Sequence, residues 1–292
     1  MKSPDAAPSA PAGLEWYSEW DFDVGVAQAI FARKLHEEET PYQKLLVYEH
    51  AFLGRLLVLD DIIQTTQYDE FIYHEMLTHV PLLGRPAAAA QTDASVLIVG
   101  GGDGGMLREV QKHDWISRIV MVELDEAVIR VCKEYLGFHG DYSDPRLELL
   151  IADGAAYMRD PATRARPFDV IILDITDPRG PSEALYTEAF CADIRACLKP
   201  DGAVVRHLGV PGHQTPEILA QGVAVHRAAF GNAQVYRAAT PAYIGGDMAF
   251  VVSTMDGASC RHPQRQLEAR YYNPDIHQAA FALPRWWKEQ GA

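Results

Sequence analysis

The sequence predicts an α/β fold: a doubly wound, mostly parallel sheet with a small antiparallel β domain in front of it. Three observations carry that prediction. The runs Val96 to Val99, Ile119 to Glu123, Leu147 to Ile151, Phe168 to Asp174 and Ala203 to His207 are short, apolar and separated by helical stretches. Such alternation builds a parallel sheet with right-handed crossovers. The turn Gly100 to Gly105, reading GGGDGG, follows the first of these runs and opens a helix-like stretch at Met106, Leu107 and Val110. A strand that turns on glycines into a helix offers bare backbone N–H groups to a ligand. Glu123 ends the second run, where a dinucleotide fold places its ribose-binding acid about 20 residues past the glycines. The sheet is therefore expected to be Rossmann-like.

Taken in order, residues 1–13 are expected to form a disordered tail, given the Pro and Ala of Ser3 to Pro11. A β-hairpin domain is expected over 14–67. There Leu45 to Glu49 and Leu56 to Leu59 are strand-like runs separated by Gly54, and Asp60-Asp61 is a turn before Ile62-Ile63. The catalytic domain is expected over 68–292. It opens on a helix from Asp69 to Val80, with Phe71, Ile72, Met76 and Val80 at helical spacing. A soft connection, Gly84 to Ala94, leads to the five alternating strands. Ala233 to Arg237 and Ala249 to Thr254 then predict a closing antiparallel pair, and no internal repeat is evident.

Composition bounds the partners. With 292 residues, 48% of them hydrophobic, the chain can bury a sizeable core. A net charge of −14 argues against nucleic acid, which needs clustered Lys and Arg. No apolar run approaches the roughly 18 residues of a membrane span, so no membrane partner is expected. Cys132, Cys191, Cys197 and Cys260 show neither a CxxC pair nor a His at metal spacing. They are expected to be buried thiols in a reducing cytoplasm.

The chemistry concentrates at the strand ends. Asp103, Glu123, Asp153 and Asp174 stand at or just beyond the ends of the first four parallel strands. In open α/β sheets the ligand sits there, where strand order reverses. Asp153, before Gly154, equally suits a helix N-cap, and Asp177-Pro178 with Gly180 and Pro181 equally suits a turn. Asp174 faces the glycine turn across the switch point and is the candidate for chemistry. The turn is not GxGxxG, and Asp103 within it would repel a pyrophosphate or the carboxylate of S-adenosylmethionine while attracting an amine. No Ser–His–Asp arrangement, zinc spacing or P-loop Lys is present. Carboxylates bind ammonium groups and take a proton from one, which fits attack by an amine on a carbon beside a sulfonium.

GGGDGGMLREV (Gly100 to Val110), VELDEAVI (Val122 to Ile129), ADGAAY (Ala152 to Tyr157) and DVIILDITDPRGPSEALY (Asp169 to Tyr186) resemble the motifs of the polyamine aminopropyltransferases, the spermidine synthase family. So do YQKLLVYE (Tyr42 to Glu49), LDDIIQTTQYDEFIYHEM (Leu59 to Met76), TPAYIGGDMAF (Thr240 to Phe250) and RYYNPDIHQAAFALP (Arg270 to Pro284), the last resembling the bacterial branch. The similarity covers almost everything from Trp16 onward.

The resemblance implies a transferase that moves the aminopropyl group of decarboxylated S-adenosylmethionine onto putrescine, releasing spermidine and methylthioadenosine without a metal. It implies a donor site at Gln43, Gln64, Gly100, Asp103, Glu123, Asp153 and Gly154, with Glu123 on the ribose, Asp153-Gly154 on the adenine and Asp103 on the amine. Asp174 matches the catalytic acid that accepts the amine's proton. Tyr73, His74, Asp177 and Tyr243 match the diamine groove. Trp16 and Tyr17 fall where an aromatic lines its far end, and Asp174 to Tyr186 resembles a gatekeeping loop. Two departures touch the acceptor half: His207, after Arg206, stands where the family usually has Gln, and Asp247 stands where neutral residues are common. Strand alternation lets only one of Arg206 and His207 face the groove, and the motif's register assigns it to His207. Aminopropyl transfer to a different amine, such as a carboxylated one if Arg206 faces the groove instead, an N-methyltransferase using intact S-adenosylmethionine and a non-catalytic polyamine or nucleoside binder are the rival readings. The exposed edges of the hairpin sheet predict a homodimer or homotetramer.

Overall fold

Five strands, β1 (Glu15–Asp21), β2 (Val26–Glu39), β3 (Lys44–His50), β4 (Gly54–Leu59) and β5 (Ile62–Thr66), form an antiparallel meander in chain order. The computed structural model describes residues 10–21, 25–176, 185–213 and 216–292, so most of the expected tail lies outside the described residues. The runs LLVYE and LLVL are unbroken because both faces of β3 and β4 are covered. Leu45, Val47, Leu57 and Leu59 face helix α3 (Glu126–Tyr135) through Val128, Val131 and Cys132. Leu46, Tyr48, Leu56 and Val58 face the other way, onto Tyr17, Ala32 and Ile63. Asp60 and Asp61 form the β4–β5 turn with φ of 48° and 62°. β1 and β2 were not anticipated. In β2 only Ala32 is fully buried, so the strand lacks the apolar contrast that periodicity reads.

The second sheet holds β6 (Ala94–Gly100), β7 (Ile116–Glu123), β8 (Leu147–Ile151), β9 (Phe168–Asp174), β10 (Leu198–His207), β11 (Gln234–Ala239) and β12 (Asp247–Thr254). Its order, β11-β12-β10-β9-β6-β7-β8, is parallel except for the two antiparallel pairs that β12 makes with β10 and β11. The first and fourth parallel strands, β6 and β9, are neighbours, so the order reverses between them as expected. Alternate residues supply two cores. Val96, Ile98, Met121, Ile172 and Val205 face α1 (Glu70–Gly84) and α2 (Gly105–Gln111). Leu97, Val99, Val122, Leu173 and Val204 join Ala155 and Met158 of α4 (Gly154–Arg159) and Phe190, Cys191 and Ile194 of α6 (Glu188–Ala196). Covering both faces is what makes the central strands β6 and β9 continuous apolar runs, whereas β8 at the edge is largely exposed.

Helix α1 runs four residues beyond the expected Val80, through Pro81. Burial of Leu82 and Leu83 offsets the hydrogen bond that proline forfeits. The remaining helices are α5 (Pro161–Arg164), α7 (Pro216–Phe230), α8 (Pro274–Ala280) and α9 (Arg285–Glu289). All four cysteines are buried free thiols. Among the described residues no helix is long and apolar enough to cross a membrane.

Candidate active site

The parallel strands deliver their acids to one cavity of about 510 Å³ at the carboxyl ends of β6, β7, β9 and β10, roofed by β4, β5 and their turn. Backbone contact fixes its floor. Gly100 pairs with Asp174 in register, and its φ of 82° and the nearness of the Asp174 carbonyl leave no room for a Cβ. The Gly101 N–H donates to that carbonyl at 3.1 Å. Likewise a Cβ on Gly105 would fall within the His74 ring, so glycine lets α2 start against α1.

A chain of charges then runs outward from the turn. Asp103 Oδ1 accepts from the Gly105 N–H at 2.9 Å, and its Oδ2 lies 3.1 Å from His74 Nε2. His74 Nδ1 lies 2.7 Å from Glu70 Oε2, and Arg108 grips both Glu70 oxygens at 2.9 Å. Burial opposes a charge on His74, but the flanking Asp103 and Glu70 carboxylates prevail and hold its pKa well above the usual imidazole value. Burial would also raise Asp103, yet the His74 cation keeps it below the ordinary carboxylate range. Asp174 behaves oppositely: burial first, then the Asp103 charge, push it up to about 7, against the His74 cation and the Tyr73 hydroxyl. Two neighbouring carboxylates pushed apart in pKa mark a base beside a fixed anion. Donor atoms of His74, Asp103 and Asp174 lie within 4.8 Å of one another, a corner built for a cation. Since carboxylates already occupy both His74 nitrogens, the two aspartates are what it offers, and they suit an ammonium.

The other expected residues border the same cavity. Glu123 ends β7 with Oε1 accepting from the Asp125 N–H at 2.9 Å. Burial raises it to about 7, with the Asp125 and Asp174 charges adding to the shift and that N–H opposing it. Asp153 does cap α4, accepting from the N–H groups of Ala155 at 2.7 Å and Ala156 at 3.1 Å, and it lines the cavity with Gly154. Gln43 reaches across from β3's approach to donate to Asp125 Oδ2 at 3.1 Å. Gln64 lines the roof, and its carbonyl accepts from the Tyr243 hydroxyl.

Tyr73 stands at the other end, its ring centroid 6.2 Å from His207 and 6.3 Å from Tyr243. His207 faces the cavity and donates from Nε2 to the Ile175 carbonyl at 2.7 Å. Arg206 points to the opposite face, its guanidinium 3.5 Å over the Tyr186 ring. Asp247 does not reach the cavity; it pairs with Arg237 across β11 and β12, at 2.8 Å from Nε and 2.7 Å from Nη2. Trp16 is a correction. It is 43% exposed and packs edge-on against Phe31, while Tyr17 is buried in the small sheet with its hydroxyl on the Asp61 carbonyl. Glu19 and Trp20, further along β1, line the cavity instead. Sequence reasoning missed both; a strand alternating Tyr17 and Glu19 inward would have brought Glu19 into view, but it places Trp20 on the other face with Trp16. Asp177, and residues 177–184 of the expected loop, lie outside the described residues.

Residues 16–67 match the family model described as the spermidine synthase tetramerisation domain, and residues 70–262 match the spermine/spermidine synthase domain. The chain is 47% identical over 263 residues to polyamine aminopropyltransferase 1 of Pseudomonas aeruginosa, covering 86% of this chain and 89% of that protein. It is 43% identical over 270 residues to the polyamine aminopropyltransferase of Shigella flexneri serotype 5b, covering 87% and 89%. Among solved structures, a spermidine synthase in complex with the transition-state analogue AdoDATO superposes with a TM-score of 0.85 at 32% identity, covering 98% of each chain. The spermidine synthase of Thermotoga maritima gives 0.81 at 30% identity, covering 98% of this chain and 97% of that one.

Proposed function

Because this chain belongs to the spermine/spermidine synthase family, we propose that it transfers the aminopropyl group of decarboxylated S-adenosylmethionine to putrescine, giving spermidine, methylthioadenosine and a proton. The observation that carries the reading is Asp103 beside Asp174 in one buried corner, the first an anion held by His74 and the second raised to about 7. Asp103 receives the ammonium of the aminopropyl chain. Glu123 takes the ribose hydroxyls and Asp153-Gly154 the adenine, with Gln43 and Gln64 enclosing the donor.

Asp174, steadied by Tyr73, accepts a proton from the acceptor's ammonium. The freed nitrogen lone pair attacks the aminopropyl carbon next to the sulfonium, and the carbon–sulfur electron pair leaves with sulfur as a neutral thioether. Positioning and proton acceptance supply the rate, so no metal takes part in the step. Arg159, on α4, is the one Lys or Arg among the described residues that lines the cavity. Among the described residues the acceptor half thus holds the carboxylate of Glu19, which supports a diamine acceptor. His207 stands where the family usually has Gln and donates from Nε2 to the Ile175 carbonyl at the cavity wall. A homodimer or homotetramer in the cytoplasm completes the reading. The experiment is single turnover with decarboxylated S-adenosylmethionine, with and without putrescine. Amine-dependent release of methylthioadenosine is expected, and release without an amine, or none at all, refutes the proposal.

A further inference from the structure

We propose that Arg206 and Tyr186 form a clasp that positions Asp174, by tying together the chain segments that leave and return beside the end of β9. The inference rests on the aminopropyl-transfer reading for the identity of the reaction. Three successive carbonyls carry it. The Asp174 carbonyl accepts from the Gly101 N–H at 3.1 Å, the Ile175 carbonyl from His207 Nε2 at 2.7 Å, and the Thr176 carbonyl from the Tyr186 hydroxyl at 2.9 Å. Each donor belongs to a different part of the chain, so the path out of β9 is held at every residue.

Tyr186 is itself held from below. The buried Arg206 stacks its guanidinium 3.5 Å over the ring and donates from Nη1 to the Leu185 carbonyl at 3.2 Å. Arg206 and His207 are consecutive on β10 and face opposite ways, and each grips one of the two segments. The clasp is a property of this combination: the hydroxyl of Tyr186 spans the segments, and the flat cation of Arg206 fixes the ring that carries it. Neither residue borders the donor's half of the cavity. They are positioning residues, acting on Asp174 through the backbone.

Tyr186→Phe removes only the hydroxyl and leaves the stack. With decarboxylated S-adenosylmethionine and putrescine its kcat is expected to fall roughly 10-fold, since small misplacements of a catalytic group cost that much or more. The donor Kd should stay within about twofold, and hydrogen–deuterium exchange should quicken in peptides spanning 171–176 and 185–190. Arg206→Ala should do the same, Arg206→Lys should restore little because ammonium does not stack flat, and the double variant should lose less than the product of the single losses. Unchanged kcat or unchanged exchange in Tyr186→Phe overturns the clasp, as does loss of donor affinity in step with kcat. If the wild type released no methylthioadenosine, the function proposed above would fall. Exchange alone would then judge the clasp, faster rates upholding it and unchanged rates refuting it.

Discussion

Asp174 carries a pKa raised from 3.8 to about 7 by burial and by the Asp103 charge, and the sign of that shift has kinetic and thermodynamic consequences. The proposed base works ionised, so kcat/KM should fall as pH drops through about 7. A raised folded-state pKa also means that its stabilising contribution is full below 3.8 and is lost as pH climbs through about 7. Asp174→Asn should therefore melt higher than wild type at pH 8 while losing roughly 10² to 10⁴ in kcat. Calorimetry and a turnover assay on one preparation check both, and activity within a few-fold of wild type would remove Asp174 from the base role. In the proposed function Asp103 acts on donor choice. Two like charges about 4 Å apart repel by roughly 4 kcal/mol at an effective dielectric near 20, an upper bound here because His74 balances Asp103. Asp103→Asn should narrow the preference for decarboxylated over intact S-adenosylmethionine in titration calorimetry; an unchanged affinity ratio would contradict it.

The β4–β5 hairpin shows which elements a sequence exposes and which it hides. Its apolar runs and its Asp-Asp turn were legible because β4 is buried on both faces, Ile63 of β5 is buried, and the turn residues interrupt the two. Asp60 and Asp61 hold left-handed φ values that cost a non-glycine residue energy. Asp61 contributes its carbonyl to Tyr17 and only a 4.0 Å side-chain contact to Lys44. Asp61→Gly should thus raise stability by up to about 1 kcal/mol, strain relief exceeding glycine's extra unfolded-state entropy; a lower denaturation midpoint would contradict this. The strands β1 and β2 were illegible for the opposite reason, since their residues are largely half-exposed and stability comes from pairing rather than from an apolar face. With β1 unseen, Glu19 and Trp20 were unseen too, and Trp16 was given their place. The acids that border the cavity were legible because each follows its own strand at short range. The grip of Arg206 on Tyr186 joins residues far apart in sequence, and only the alternation of β10 hinted at it.

At the scale of the whole molecule, the small sheet meets the large one through α3, and Gln43 hydrogen-bonds the Asp125 that caps that helix. The cavity between them therefore depends on both sheets keeping their relative placement. The small sheet also leaves Trp16 and Trp20 exposed on β1, an edge strand. Self-association through that sheet is expected, and light scattering at micromolar concentration should return a multiple of 32.4 kDa; the monomer mass would contradict it. The central claim is that Asp103 and Asp174 direct an aminopropyl group onto a diamine. Its most direct test is mass spectrometry of the products formed from decarboxylated and intact S-adenosylmethionine, each offered with putrescine and with ornithine. The account predicts spermidine and methylthioadenosine from the decarboxylated donor and putrescine, and little product from the other pairs. A methylated amine from the intact donor, or aminopropylation of ornithine in preference to putrescine, would contradict it.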